Sequence, residues 1–152
     1  MSDLLRVSIN QKDNDLVTIE EELLLVKDYL ELEKIRYENR LEYTFVVKPF
    51  SDLYKIPKFS IQLLVENAIK HGIDKYVDGG LIEIVVNDHK NFIDVSVKNP
   101  GKLIKNQSKG IGIDNLKKRL LIQFSGKANL FIKEESNNIV IATIQIPKDQ
   151  NE

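Results

Sequence analysis

The sequence contains no cysteine, few prolines and glycines, and no long apolar run. The lack of cysteine excludes disulfides, thiol catalysis and thiolate metal sites. No apolar stretch approaches the ~20 residues of a membrane-spanning helix, and no secretory signal is present. The net charge is −1 with both signs interspersed, so there is no basic footprint for DNA or RNA. These absences predict a cytoplasmic domain of a reducing compartment, with no nucleic-acid partner and no membrane contact of its own.

The composition is that of an ordinary globular domain. Apolar residues make up 42% of the 152 residues and charged residues 30%. A chain of this length buries roughly 68–70% of its unfolded surface in one core. Internal repeats and low-complexity tracts are missing from the sequence, so we expect one main domain.

Periodicity and capping signals predict two helices and a strand in the first half. Thr18 and Glu21 form a capping-box pattern in front of a helix over residues 19–37. Residues 41–48 are rich in β-branched and aromatic side chains and indicate a strand. Pro57 suits the first turn of the next helix, and Gly72 suits its C-terminal cap.

The second half predicts a hairpin, a helix and two further strands. Residues 81–87 and 92–98 alternate in polarity and flank a polar turn, and a helix follows up to about residue 123. Two strands follow near residues 128–133 and 139–146. Because helices and strands mix without regular βαβ alternation, we expect an α+β fold: a two-layer sandwich with a mixed, mostly antiparallel sheet covered by helices.

The octapeptide of residues 65–72 places polar side chains along a buried helix. Glu66, Asn67, Lys70 and His71 project along one edge, because residues three and four apart are neighbours on a helix. A carboxylate, an amide, a cation and an imidazole there suit a metal–phosphate group. The alternatives are a Glu66–Lys70 ion pair on a solvated face and a His71 side chain that caps the helix dipole.

Two glycine-bearing segments follow the octapeptide. Gly110-Ile111-Gly112 opens a helix, where paired glycines let backbone N–H groups approach an anion, and Lys105 and Lys109 precede it. The alternative is an ordinary flexible loop with a permissive turn. Asn99-Pro100-Gly101 either ends a strand or offers the Asn99 amide oxygen to an amino group on a base. The spacing fits neither a P-loop nor a Rossmann turn.

The order of these motifs resembles a known family. Residues 56–72, which include the string QLLVENAIKHG, resemble the N box of LytS-like sensor histidine kinases. Residues 109–120 (KGIGIDNLKKRL) resemble their second glycine box, and both boxes belong to the family's ATP-binding catalytic domain of Bergerat or GHKL fold. The resemblance implies a domain over residues 17–148, preceded at 1–16 by the end of the dimerisation and phosphoacceptor helices. Residues 98–101 resemble a variant first glycine box.

The resemblance also implies an activity and its participants. The domain would bind ATP and Mg²⁺ and pass the γ-phosphoryl group to a histidine outside this sequence, on a phosphoacceptor helix of the same or a partner subunit. The further partner would be a response regulator. The longer protein would be a homodimer anchored in the bacterial inner membrane, with this part in the cytoplasm. The fragment alone would not be competent for autophosphorylation.

Residue roles follow from the same resemblance. Asn67 would ligate Mg²⁺, a hard cation that prefers oxygen ligands, and Glu66 would act beside it as the catalytic carboxylate. The remaining residues would contact the nucleotide, and they are Lys70, His71, Asn99, Gly101, Lys105, Lys109, Gly110, Ile111, Gly112 and Asn115. Arg119 would anchor its own helix instead.

Three departures from the family pattern matter. Asn99 stands where the family has an aspartate that recognises the adenine amino group, and Leu103 replaces the second glycine of that box. These changes motivate an alternative, a nucleotide-dead module of the same fold that docks a kinase or response regulator. Leu63 replaces the water-activating glutamate of the related ATPases, which disfavours ATP hydrolysis. Neither histidine of the sequence stands in a phosphoacceptor motif.

Overall fold

The fold is a five-stranded sheet with helices packed against it. The computed structural model describes residues 16–102, 111–135 and 138–150 of the chain. In chain order the elements are β1 (Leu16–Thr18), α1 (Ile19–Tyr37), β2 (Leu41–Val47), β3 (Lys55–Pro57), α2 (Ser60–Ala68), β4 (Gly80–Asp88), β5 (Phe92–Pro100), α3 (Ile111–Gln123), β6 (Asn129–Glu135) and β7 (Ile139–Pro147). Short 3₁₀ turns lie at Glu38–Arg40 and Ser51–Leu53, and a π turn follows α2 at Ile69–Ile73.

The sheet has the mixed, mostly antiparallel character that the sequence predicts. Its strand order is β2-β4-β5-β7-β6, and β2 pairs in parallel with β4 while the other neighbours are antiparallel. The α+β fold class is therefore confirmed. A separate two-stranded pair joins β1 to β3, with Val17 opposite Ile56. This small pair was not predicted, because three-residue strands carry too few positions to show a period.

Helix α1 begins and ends where the sequence predicts. The Thr18 hydroxyl accepts from Glu21 N at 3.1 Å, and Thr18 N donates to the Glu21 carboxylate at 2.9 Å, which completes the capping box. One apolar stripe of the helix is buried and includes Leu23, Val26 and Leu30. This stripe packs α1 against α2 and the edge strand β2.

The boundaries predicted for the second helix are wrong at both ends. Pro57 lies in β3 opposite Leu16, because a strand end tolerates a residue without a backbone N–H. The helix starts instead at Ser60. At its other end the backbone widens into the π turn, where Asp74 N donates to Ile69 O at 2.8 Å. Gly72 therefore lies inside this turn and is not a helix cap.

The core lies between the helices and one face of the sheet. Alternate residues of the central strands point into it, among them Ile84 of β4, Val95 of β5 and Ile144 of β7, each fully buried. On the opposite face Ser96 and Thr143 share a hydrogen bond of 3.1 Å. Within the described ranges, no helix has the length and apolarity needed to cross a membrane.

Gly79 supplies a direct test of this packing. Its φ is +67°, and an added Cβ would lie 1.9 Å from Arg40 O, a backbone atom that has no room to shift. Gly126 has a similar φ of +83°, but an added Cβ there meets only Leu121 Cδ1 at 3.8 Å. We expect Gly79→Ala to lower the free energy of unfolding in urea by roughly 2 kcal/mol more than the control Gly126→Ala. Equal losses in the two variants would contradict the tight β2–β4 approach.

Candidate functional site

Helix α2 and the π turn place the octapeptide at the rim of the core. Leu64 and Val65 are buried, Glu66 and Lys70 are exposed, and Asn67 lies half-buried between them. His71 is also half-buried, one turn after Asn67. The amide and the imidazole therefore occupy the boundary between core and solvent, where polar side chains remain accessible to a ligand.

Gly72 brings the π turn into contact with Asn99 at the end of β5. A Cβ added at Gly72 would lie 2.8 Å from Asn99 Nδ2 and 2.9 Å from Asn99 Cβ. Asn99 is 4% exposed, and its Nδ2 donates to Pro100 O at 2.7 Å, so the amide oxygen points away from Pro100. Only glycine permits this approach, and the octapeptide and the first glycine segment therefore form one site.

Gly101 adds a second contact between the same two segments. Its φ is +130°, and an added Cβ would lie 3.2 Å from the Tyr76 ring and 3.5 Å from His71 O. Its N–H donates to Asn138 O at 2.6 Å. Gly101 thus packs the end of β5 against the chain that follows the π turn.

The surroundings of His71 favour its neutral form. Burial lowers the pKa of His71, and the positive charges of Lys75 and Lys70 lower the pKa further. Its Nδ1 is buried and has no hydrogen-bond partner among the described residues. A neutral imidazole with an unsatisfied nitrogen suits a hydrogen bond to a bound ligand.

Glu66 faces α1 and does not pair with Lys70. Its carboxylate accepts a hydrogen bond from Gln62 Nε2 at 3.0 Å. Burial raises the pKa of Tyr29 in α1 to about 12, with further contributions from the negative charges of Glu33 and Glu66. The structure therefore does not form the ion pair that was the alternative explanation for Glu66, and a catalytic role for this residue stays a prediction.

Helix α3 meets α2 through Gly112. An added Cβ at Gly112 would lie 3.0 Å from Leu63 Cδ1, so the glycine has a packing role between the two helices. Arg119 donates to Lys58 O at 2.9 Å, which confirms the prediction that Arg119 anchors its helix. Asn115 is exposed on the first half of α3.

Part of the predicted site lies outside the described residues. Lys105, Lys109 and Gly110 fall in the range 103–110 and have no structural account here. Ile111 is the first residue of α3, and only its backbone is described. The described residues that come together are those of the octapeptide and of the segment from Asn99 to Gly101.

Glu22 is a residue that the sequence reasoning missed. Its side chain is 0% exposed, and its two carboxylate oxygens accept from Phe59 N at 3.0 Å and Gln62 N at 3.1 Å. It therefore satisfies the first backbone amides of α2. A signal was present in the sequence, because Glu22 falls between Ile19 and Val26 at the spacing of the buried stripe.

The end of α1 and the 3₁₀ turn after it bond to the C-terminal part of the π turn and to the residues that follow it. Arg40 Nη2 donates to Ile73 O at 2.8 Å and to Tyr76 O at 2.7 Å, and the Tyr37 hydroxyl donates to Asp74 Oδ1 at 3.0 Å. A guanidinium that binds two carbonyls satisfies groups that the turn leaves open. Helix α1 and the 3₁₀ turn after it thus bond both to the beginning of α2 and to the π turn that follows α2.

The donor set suits an anion with a hard cation better than a transition metal. In residues 16–102, 111–135 and 138–150 there is no group of three or more His, Asp or Glu side chains that could hold a metal ion. The polar groups at the rim are instead amide oxygens, a neutral imidazole and the Lys70 ammonium. Such a site takes a metal only together with a ligand that supplies further oxygens.

Sequence comparison relates the chain to sensor histidine kinases. Residues 1–41 match the family model described as Histidine kinase. The chain is 31% identical over 150 residues to sensor histidine kinase YesM of Bacillus subtilis, which covers 95% of this chain and 26% of YesM. It is 30% identical over 151 residues to sensor protein LytS of Bacillus cereus, covering 90% of this chain and 26% of LytS. The chain thus spans about a quarter of the length of these curated relatives.

Solved structures of histidine kinases share the fold. The catalytic domain of histidine kinase ThkA superimposes with a TM-score of 0.65 at 19% identity, covering 88% of this chain and 94% of that domain. Histidine kinase AdeS of Acinetobacter baumannii gives a TM-score of 0.65 at 14% identity, covering 88% of this chain and 66% of AdeS. At these identities the likeness concerns the fold.

The electrostatics of His71 can be checked directly. Because its pKa is lowered, the folded state binds this proton less readily than the unfolded state, so its contribution to stability is present above the ordinary pKa and is lost as the pH falls towards the folded value. In an NMR titration we expect His71, assigned with His71→Gln, to titrate below pH 6.5. Lys70→Met should raise the pKa of His71, whereas the distant control Lys133→Met should leave it unchanged. A His71 pKa that does not respond to Lys70→Met would contradict this account.

Proposed function

The chain belongs to the LytS-like sensor histidine kinases, and we propose that it is their catalytic domain, which binds ATP with Mg²⁺ and supplies the γ-phosphoryl group to a histidine elsewhere. The observation that carries the proposal is the contact of Gly72 with Asn99, an added Cβ at Gly72 lying 2.8 Å from Asn99 Nδ2. It joins the N-box residues to the first glycine segment in one site. We propose that a nucleotide binds where these two segments meet.

The described residues fit such a ligand. Asn99 is buried and would offer its side-chain amide to the base, and Gly101 would let the backbone lie close to the nucleotide. Asn67 would supply an oxygen ligand to Mg²⁺ at the rim, and Lys70 a positive charge to the phosphates. Bound Mg²⁺ would neutralise phosphate charge, which is the main requirement of phosphoryl transfer. Lys105, Lys109, Gly110, Ile111, Gly112 and Asn115 are proposed to complete the nucleotide contacts, and Glu66 to act on the nucleophile.

The phosphoacceptor is proposed to lie outside residues 1–152. His71 belongs to the site itself, and His89 is held at the β4–β5 turn by a 2.8 Å contact with Asp94 and by stacking on Phe92. We therefore propose as partners a phosphoacceptor helix of the same or a partner subunit and a response regulator. A solved complex of ThkA contains the response regulator protein TrrA, and that kinase matches this chain with a TM-score of 0.60 at 20% identity, over 89% of this chain and 42% of ThkA.

The longer protein is proposed to be a membrane-anchored homodimer with this domain on the cytoplasmic side. Residues 1–16 would connect it to the dimerisation and phosphoacceptor helices. Within the domain, Leu63 packs on Gly112 at the place of a water-activating glutamate in the related ATPases. An apolar side chain cannot take a proton from water, so we expect transfer to a histidine and little ATP hydrolysis.

The nucleotide proposal is tested by calorimetric titration with the non-hydrolysable analogue AMPPNP and Mg²⁺. We expect saturable binding by the wild-type chain and at least about a tenfold loss in Asn67→Ala, because a metal ligand is removed. Asn87→Ala is the matched control: Asn87 bonds to Asp94 at 3.3 Å in the β4–β5 hairpin, away from α2, and its loss should leave binding unchanged.

A second prediction concerns the close contact of Gly72. In Gly72→Ala the new Cβ presses on Asn99, so the amide must move and the affinity for AMPPNP should fall by at least about tenfold. The melting temperature should change less than in Gly79→Ala, where the clash is with backbone. A wild-type chain that shows no saturable binding at millimolar nucleotide would favour the alternative, a docking module of the same fold. Retained affinity in Gly72→Ala would contradict the assignment of Asn99.

A further inference from the structure

The buried carboxylate of Glu22 joins α1 to the beginning of α2. Its oxygens accept from Phe59 N at 3.0 Å and from Gln62 N at 3.1 Å, and the side chain is 0% exposed. The first turn of any helix leaves backbone N–H groups without intrahelical partners. An ionised carboxylate is a strong acceptor for them, and the positive end of the helix dipole favours its charge.

Helix α2 has no cap of its own. The residue at its N-cap position is Phe59, which has no side-chain hydrogen bond to the helix and adopts a φ of +70°. A bulky side chain in the left-handed region is strained, and it persists only where neighbouring contacts hold it. The first turn of α2 therefore depends on a group that comes from another helix.

Helix α3 contributes to the same junction. Arg119 Nη2 donates to Lys58 O at 2.9 Å, directly before the capped amides. Burial raises the pKa of Glu22, while the hydrogen bonds from α2 and the positive charge of Arg119 oppose this rise. A buried charge with a raised pKa is kept at a cost in stability, since a neutral side chain of similar shape avoids the desolvation.

We propose that Glu22 is a positioning residue of the nucleotide site: its carboxylate fixes the N-terminus of α2 between α1 and α3 and thereby orients Asn67. The inference rests on the proposed function, because it concerns how the ATP-binding helix is held. Glu22 contacts the first turn of α2, whereas Asn67 lies near the end of this nine-residue helix. A displacement of the first turn reaches Asn67 because the helix is short and, packed against its neighbours, moves as one unit.

The test is Glu22→Gln in the 152-residue chain, with Glu20→Gln as the matched control from the exposed face of the same helical turn. We expect Glu22→Gln to weaken Mg–AMPPNP binding at pH 7.5 by at least about fivefold, because its amide N–H₂ faces a backbone N–H. Its melting temperature should fall only slightly, because the lost acceptor destabilises the first turn of α2 while the removal of a buried charge offsets part of this cost. Glu20→Gln should change neither quantity.

The pH dependence separates positioning from general destabilisation. As the pH falls through the raised pKa of Glu22, the wild-type carboxyl becomes neutral and resembles the amide, so the affinities of wild type and Glu22→Gln should converge. Arg119 is the charged group that faces Glu22 from α3. His71 titrates in both proteins, so its effect cancels in the affinity ratio.

Three results would overturn the proposal. These are equal affinities of wild type and Glu22→Gln at pH 7.5, a loss of affinity that follows a matching loss of melting temperature, and an affinity ratio independent of pH. If the wild-type chain binds no nucleotide, the proposed function itself fails. If the wild-type chain binds the nucleotide and Glu22→Gln binds it with the same affinity, only this inference fails.

A wild-type measurement covers the case in which Glu22→Gln does not fold. In an NMR pH titration without nucleotide, the backbone amide of Gln62 reports directly on the Glu22 carboxylate. We expect the side-chain amide of Asn67 to follow the same titration curve. A titrating Gln62 amide with an unresponsive Asn67 would overturn the proposal, and this holds whether or not the chain binds nucleotide.

Discussion

A nine-residue helix is marginal in water, and the candidate site is built on such a helix. Helix α2 therefore keeps its shape only because its neighbours complete it. Its buried face packs on β5, its first amides bond to Glu22, and the π turn that follows it is held by Arg40. Helix α1, which is nineteen residues long and carries its own capping box, provides the rigid support for both ends.

The sequence predicts well those features that depend on neighbouring residues. The capping box of Thr18 and Glu21 acts over three positions, so the start of α1 was predicted correctly. The five strands of the main sheet were predicted for the same reason, since alternation is local. The N-terminus of α2 was missed because its cap comes from Glu22, 37 residues before Phe59, and no local pattern reports such a bond. Pro57 was wrongly predicted to lie in the first turn of a helix, because the sequence gives no sign that β3 pairs with β1.

For the candidate site, the sequence indicated residue types but not the contacts between them. Residue type and position drew attention to Asn67, His71 and Asn99, whose roles in a nucleotide site stay predictions. The way in which they meet was not predictable. It depends on Gly72, which was expected to cap a helix and instead gives Asn99 its space. The sequence shows which groups are available, whereas the close approaches arise only when the sheet brings distant segments together.

The parallel pairing of β2 with β4 affects how the site opens. The segment between these strands contains β3, α2 and the π turn, so the site lies inside the crossover that joins two adjacent strands of one sheet. Two adjacent parallel strands can be joined only by a long crossover segment, which here folds back over the sheet. Helix α2 and the edge strand β2 therefore form one cooperative unit. We expect local unfolding of the site to involve this edge of the sheet as well.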